Sequence, residues 1–219
     1  MIDFLDIHTH QTAIKPGVTS IESLSLTNDI FLAMPKKKAI SIGLHPWFAT
    51  LEKLELQMKY LTVLAKQDNV KLIGECGLDS LRGEKIEHQI AILEQQITLA
   101  EALNKPLILH CVKSFSELIE IKESLKVKVP MILHGFNKNE ELGKQLLAKG
   151  FMLSFGAAVL SANSGAAKLI ANLDFFFLET DDSVTSIQEI YHAVADIKKC
   201  SVNELKALIF DNWKKLKLP

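Results

Sequence analysis

Val70-Lys71-Leu72-Ile73-Gly74-Glu75-Cys76-Gly77-Leu78-Asp79 is followed by a helical pattern from about Glu84 to Asn104 and then by Pro106-Leu107-Ile108-Leu109-His110. The outer pieces open on short, near-continuous apolar runs, and Ile86, Ile90, Leu93, Ile97 and Ala100 recur between them at helical spacing. Apolar runs buried on both faces and joined by an amphipathic helix are the repeating unit of a parallel sheet. The same alternation continues downstream. Ser114 with Glu117 reads as a capping box opening a helix that carries Leu118, Ile121 and Leu125. Val129-Pro130-Met131-Ile132-Leu133 then runs into His134-Gly135-Phe136, and a helix from Glu140 to Lys149 closes at Gly150. Further runs are Phe151 to Gly156 and Asp174 to Leu178, the latter ending in Glu179-Thr180-Asp181-Asp182. Two helices finish the chain, the second opened by Ser201 with Glu204.

Upstream the pattern is abbreviated. Ile2-Asp3-Phe4-Leu5 leads into Asp6-Ile7-His8-Thr9-His10, and a polar segment then extends through Thr27. Ile30-Phe31-Leu32-Ala33, a turn at Pro35 to Lys38, and Ala39 to Leu44 follow, ending in His45-Pro46-Trp47. Thr50 caps a helix with Leu51, Leu54, Met58, Leu61 and Leu64 at helical spacing. About eight apolar runs predict a distorted (β/α)8 TIM barrel with a reduced unit near residues 28–44. A doubly wound open sheet is the rival architecture, although no glycine-rich loop follows the first strand.

The 219 residues and 48% hydrophobic content are expected to form a single domain over residues 1–219. A net charge of −1, from 25 basic and 26 acidic residues, provides no basic stripe for nucleic acid. No apolar run has the length to cross a membrane and no basic-then-apolar leader opens the chain, so a soluble, cytoplasmic protein is expected. Three cysteines without Cys-x-x-Cys spacing fit a reducing compartment. Cys76 and Cys111 flank candidate ligands, but strand neighbours point to opposite sides, so both are expected to pack in the wall.

His8, His10, His45, Glu75, His110, His134 and Asp181 all fall where an apolar run ends, whereas His88 and His192 lie within helices. In a barrel those ends gather at the mouth where active sites form. His8 and His10, two residues apart on a strand, point to the same side and suit a divalent metal. Four histidines with Glu75 and Asp181 exceed the ligand set of one catalytic zinc and suit two cations, with Glu75 as the natural bridge. Such a pair polarises an ester and activates water, so hydrolysis is expected.

In sequence order, Asp6-Ile7-His8-Thr9-His10, Gly43-Leu44-His45-Pro46, Gly74-Glu75-Cys76-Gly77-Leu78-Asp79, Pro106 to His110, Leu133-His134-Gly135-Phe136 and Glu179-Thr180-Asp181 resemble the TatD-type metal-dependent hydrolases over nearly the whole chain. The resemblance implies a barrel of the metallo-dependent hydrolase type and a divalent-metal-dependent phosphodiesterase or deoxyribonuclease. It also implies two divalent ions (Mg²⁺, Mn²⁺ or Zn²⁺), with His8, His10 and Asp181 on one, His110 and His134 on the other, and Glu75 bridging. Asp181, with Asp182 as the fallback, would orient or deprotonate the attacking water, and His45 would face the substrate. Asp79 and Glu179 would orient ligands. This chain departs from the pattern at Val112, where the family often carries an arginine, with Lys113 next to it as a substrate-binding point charge. It also departs at Ser80, where the family often has an aromatic, and at Asp182-Ser183, where it usually has a proline. A PHP-type phosphoesterase also opens with His-x-His but lacks the later elements. The expected partner is a phosphodiester such as DNA, with no membrane and no protein partner, for a monomer. The alternatives are hydrolysis of a small-molecule amide or ester, and a non-catalytic metal-binding module.

Overall fold

The computed structural model describes residues 2–26 and 34–219. Along the chain run β1 (Phe4–Thr9), β2 (Val18–Ser25), β3 (Ile40–Gly43), α1 (Leu54–Leu64), β4 (Val70–Asp79), α2 (Ile86–Leu103), β5 (Leu107–Val112) and α3 (Phe115–Ser124). These are followed by β6 (Met131–Leu133), α4 (Glu140–Ala148), β7 (Met152–Phe155), α5 (Gly165–Ile170), β8 (Phe177–Leu178), α6 (Ile187–Lys198) and α7 (Val202–Lys215). The hydrogen-bonded strand order is β1 to β8 in sequence order, the order of a (β/α)8 barrel and not of a doubly wound sheet. The pairs β1/β2, β3/β4, β4/β5 and β7/β8 are parallel. No helix among the described residues is long and apolar enough to cross a membrane.

Two compact units emerge, Met1–Glu22 with Leu133–Pro219, and Ser23–Ile132. In the second, Ile42, Leu72, Ile73, Leu107, Ile108 and Leu109 are fully buried, as near-continuous apolar strands require. Two glutamines of α2 share that interior. Gln96 accepts from the Leu44 backbone N–H at 2.7 Å and donates to the Leu44 carbonyl at 3.1 Å. Gln89 accepts from the Asp79 N–H at 2.8 Å and donates to the carbonyls of Asp79, Arg82 and Glu84 at 3.0, 3.0 and 2.7 Å. Each buried amide satisfies backbone groups that the strand ladder leaves open at the ends of β3 and β4. Gly74 and Gly77 have φ of +133° and +140°, and a Cβ on Gly77 would collide with the His110 carbonyl. This close approach of β4 to β5 gives Gly-Glu-x-Gly a steric reason.

In the first unit, Tyr191 of α6 is fully buried, and its hydroxyl accepts from the Leu5 N–H and donates to the Leu5 carbonyl, both at 3.1 Å. Asn212 of α7 donates to the Asp174 and Phe176 carbonyls at 3.1 Å each, pinning the approach to β8. β1 closes against the end of β8 through a parallel bridge between Thr9 and Asp181.

Some sequence expectations shift. The apolar piece Ile30 to Ala33 lies outside the described residues, while β2 lies upstream in the segment read as polar. There Phe4, Leu5 and Asp6 pair in register with Val18, Thr19 and Ser20, so backbone partners rather than an apolar run define the strand. The connection from β1 to β2 carries no helix. Ser201 with Glu204 forms a reciprocal capping box, as does Ser186 with Glu189. Ser114 does not cap α3, because its hydroxyl pairs with Ser80 Oγ at 2.5 Å and donates to the Val112 carbonyl at 3.3 Å. Thr50 occupies the N-cap position of a 3-10 turn over Leu51–Lys53 without a side-chain cap bond.

Asp6 is 3% exposed and accepts from the Thr180 N–H at 3.0 Å and the Thr180 hydroxyl at 2.6 Å. Burial outweighs those bonds and pushes its carboxyl from 3.8 up to about 6. The folded chain therefore holds this proton more tightly than the unfolded chain, and stability falls as pH rises through the interval between the two values. Asparagine at this position keeps a partner, because the Thr180 hydroxyl can accept as well as donate. The unfolding free energy of the natural chain is expected to fall by about 2.5 kcal/mol relative to Asp6→Asn between pH 4 and pH 7. Urea unfolding across that range checks this, and a constant difference between the two proteins would contradict it.

Candidate metal centres

In the first unit the backbone ladder assembles the donors. The Asp181 N–H donates to the His8 carbonyl at 2.9 Å, and the His10 N–H donates to the Asp181 carbonyl at 3.1 Å. His8 and His10, alternate residues at the end of β1, thereby face the Asp181 side chain, with each Nε2 at 3.5 Å from Oδ1. Asp181 has φ of +52°, a left-handed conformation that aspartate tolerates better than most residues. His134 follows β6 and places Nδ1 at 3.4 Å from Glu179 Oε1 and 4.0 Å from Asp181 Oδ2, and its ring centroid lies 4.4 Å from that of His8. Glu179 is fully buried, and its Oε1 also accepts from the Gly135 N–H at 2.5 Å. Its Oε2 has no hydrogen-bond partner among the described residues. A cleft of about 180 Å³ lined by Gly135, Asn137, Gly156, Thr180, Asp181 and Ser183 opens beside these groups.

The donor atoms of His8, His10 and Asp181 lie within 4.8 Å of one another, as do those of His134, Glu179 and Asp181. Ligands bonded to zinc at about 2.1 Å stand roughly 3.4 Å apart in a tetrahedron. Two imidazole nitrogens at 3.5 Å from one carboxylate oxygen match that spacing better than ordinary hydrogen bonding. The residues therefore fit a divalent cation.

The second unit carries its own cluster. His45 Nδ1 accepts from the Trp47 N–H at 3.1 Å, so the neutral ring carries its proton on Nε2, which lies 2.9 Å from Glu75 Oε1. His45 thus donates to Glu75 and orients it. His110 stands between two carboxylates, with Nδ1 at 3.1 Å from Glu75 Oε1 and Nε2 at 3.1 Å from Asp79 Oδ2. A neutral imidazole donates only once. With Nε2–H given to Asp79, the Nδ1 lone pair faces the Glu75 oxygen, and a divalent cation or a second proton relieves that opposition. The donor atoms of His45, Glu75 and His110 lie within 4.8 Å of one another.

Asp79 is the hub of this arrangement. Burial alone would raise its carboxyl, but the Trp47 indole, the Leu81 N–H and His110 together hold it below the ordinary carboxylate value. The indole Nε1 donates to Oδ2 at 2.6 Å and the Leu81 N–H to Oδ1 at 2.8 Å. In the sequence Trp47 stands out only as the residue after a strand-ending proline, and no local motif marks Gln89 or Gln96. Polar residues recurring on the inward face of an apolar helix were the available signal for the glutamines. Lys113, expected to bind substrate, is exposed after β5 in a left-handed turn. Asp182 follows Asp181 and lines the cleft. Cys76 is fully buried with its thiol directed to the Ile108 carbonyl, and burial pushes the thiol's pKa up, as suits a packing residue. Cys111 is half-buried.

A family model described as TatD related DNase matches residues 8–217. An uncharacterized metal-dependent hydrolase of Methanocaldococcus jannaschii is 26% identical over 79% of this chain and 73% of its own length. A protein of Cronobacter turicensis named 3'-5' ssDNA/RNA exonuclease TatD is 33% identical over 64% of this chain and 55% of its own length. The crystal structure of a TatD homologue from Escherichia coli superposes with a TM-score of 0.81 at 20% identity, covering 99% of this chain and 98% of that one. This likeness and the strand order make the fold a (β/α)8 barrel.

Trp47→Phe keeps a ring in place and removes the indole donor to Asp79. Losing an orienting partner of this kind costs about 10- to 100-fold in metal affinity. Calorimetric titration of the stripped variant with Zn²⁺ is expected to show one class of site weakened by about that factor. Unchanged affinities would show that Asp79 does not depend on Trp47.

Proposed function

Because the chain belongs to the TatD-related DNase family, we propose that this metal-dependent hydrolase is a phosphodiesterase acting on nucleic-acid strands with two divalent cations. The observation that carries the reading is the pairing of histidines with carboxylates in each unit, His8 and His10 with Asp181 and His110 with Glu75. The exonuclease name of the Cronobacter relative supports a nucleic-acid substrate. His8, His10 and Asp181 would hold one cation and Glu75 with His110 would hold the other. His134, which the sequence assigns with His110 to the second cation, also lies beside His8, Glu179 and Asp181 in its own unit. Bound cations supply Lewis acidity toward the phosphoryl group and activate water.

The chain's own residues do the rest. The Asp181 side chain is 34% exposed at the end of β8, so it can reach an attacking water and accept its proton. Glu179, fixed by the Gly135 N–H, holds His134 in place. Asp79 accepts from His110 Nε2 and so keeps the Nδ1 lone pair directed at the Glu75 side. His45 donates to Glu75 and keeps that carboxylate oriented.

Hydrolysis of bis-p-nitrophenyl phosphate by stripped protein reconstituted separately with Mg²⁺, Mn²⁺ and Zn²⁺ tests the reading. Turnover is expected only with metal. Asp181→Asn should lower kcat by about 10²- to 10⁴-fold, the range for loss of a general base. Glu75→Ala and His110→Ala should each reduce the metal content measured by mass spectrometry. Bound metal without turnover in any of the three preparations would overturn the phosphodiesterase reading and direct attention to amide and carboxylic ester substrates.

A further inference from the structure

Arg82 is the single arginine of the chain, every other basic position being lysine. It lies in the loop after β4, where its backbone is fixed, because the Gln89 side chain donates to its carbonyl at 3.0 Å. The next residue, Gly83, has φ of +91°, and a Cβ there would collide with the Pro46 carbonyl, so the loop lies directly on the Pro46–Trp47 segment. The guanidinium carbon stands 3.9 Å from the Trp47 ring centroid. Among the described residues no carboxylate pairs with that guanidinium. Trp47 in turn donates to Asp79, which accepts from His110, so the stacked pair is tied by successive hydrogen bonds to the His45–Glu75–His110 cluster.

Stacking occupies one face of a guanidinium and leaves its N–H donors, which lie in the plane, available at the edge. A preoriented fork with no carboxylate partner, beside a hydrolytic cluster, matches the bidentate geometry of a phosphate. Lysine, used at every other basic position, is a point charge without that geometry. We propose that Arg82 holds a phosphate of the substrate next to the one that is cleaved, with Trp47 as the platform that fixes the fork. This role for Arg82 stands beside the substrate-binding point charge that the sequence suggests at Lys113. The substrate class, a single-stranded oligonucleotide, rests on the phosphodiesterase reading above.

The test uses the metal-loaded parent protein and a fluorescein-labelled phosphorothioate oligothymidylate, which resists cleavage, followed by anisotropy at several salt concentrations. Arg82→Gln is expected to raise Kd by about tenfold or more and to reduce the salt slope by about 0.7, the contribution of one phosphate contact on a single strand. Arg82→Lys should recover the slope but only part of the affinity, because charge returns without the fork. Lys144→Gln, a matched loss of charge on exposed α4, should change neither quantity. With a cleavable strand the effect of Arg82→Gln should fall on KM more than on kcat. A Kd within twofold for Arg82→Gln, equal effects of Arg82→Gln and Lys144→Gln, or no binding of the oligonucleotide by the parent protein would overturn the proposal. Arg82-dependent binding without hydrolysis of any phosphodiester would sink the phosphodiesterase reading and leave Arg82 as a phosphate holder. Hydrolysis with Arg82-independent binding would do the reverse.

Discussion

Two imidazole nitrogens, His8 Nε2 and His10 Nε2, face one carboxylate oxygen of Asp181 at 3.5 Å each. This meeting of donor atoms is the constraint on which the first unit depends, since lone pairs collected at that spacing need a cation or protons among them. The backbone makes it unavoidable. Asp181 is clamped between the His8 carbonyl and the His10 N–H, so its backbone cannot shift without breaking the β1/β8 bridge. Asp6 and Thr180 reinforce that closure nearby, at the cost of burying a carboxyl.

The second unit reaches a comparable result by other means. Its strands open on apolar runs, and positional accuracy at their ends comes from α2, whose Gln89 and Gln96 grip backbone groups beside Asp79 and His45. Gly74 and Gly77 let β4 approach β5 closely enough for Glu75 to meet His110. Trp47 then joins this scaffold to the outer surface, binding Asp79 with its indole edge and Arg82 with its face. Side chains held in this way lose little freedom when a cation or substrate arrives, which is the physical basis of preorganisation.

Much of this was legible in the sequence, and the reasons differ from residue to residue. His8 and His10 could be read because a strand's period of two places them on one side, and Asp181 because it follows the apolar run Phe175 to Leu178. The alternation from Val70 onward announces the parallel sheet, and β4 runs on past its apolar start to Asp79. β2 escaped notice because Val18, Ile21 and Leu24 recur at intervals of three among serines and threonines, and the strand exists through its pairing with β1. The capping role read for Ser114 failed because Ser80, distant in sequence, offers its hydroxyl a competing partner. Trp47, Arg82 and the two glutamines act through contacts between separate elements, which no local pattern announces.

The most direct measurement of the central claim is anomalous diffraction at the zinc edge from crystals of the stripped protein soaked in Zn²⁺. The account predicts an anomalous peak bonded to His8, His10 and Asp181, and another bonded to Glu75 and His110, with bonds of about 2.0–2.2 Å. Crystals in which these side chains hold no anomalous scatterer, while zinc binds only at surface residues, would contradict it.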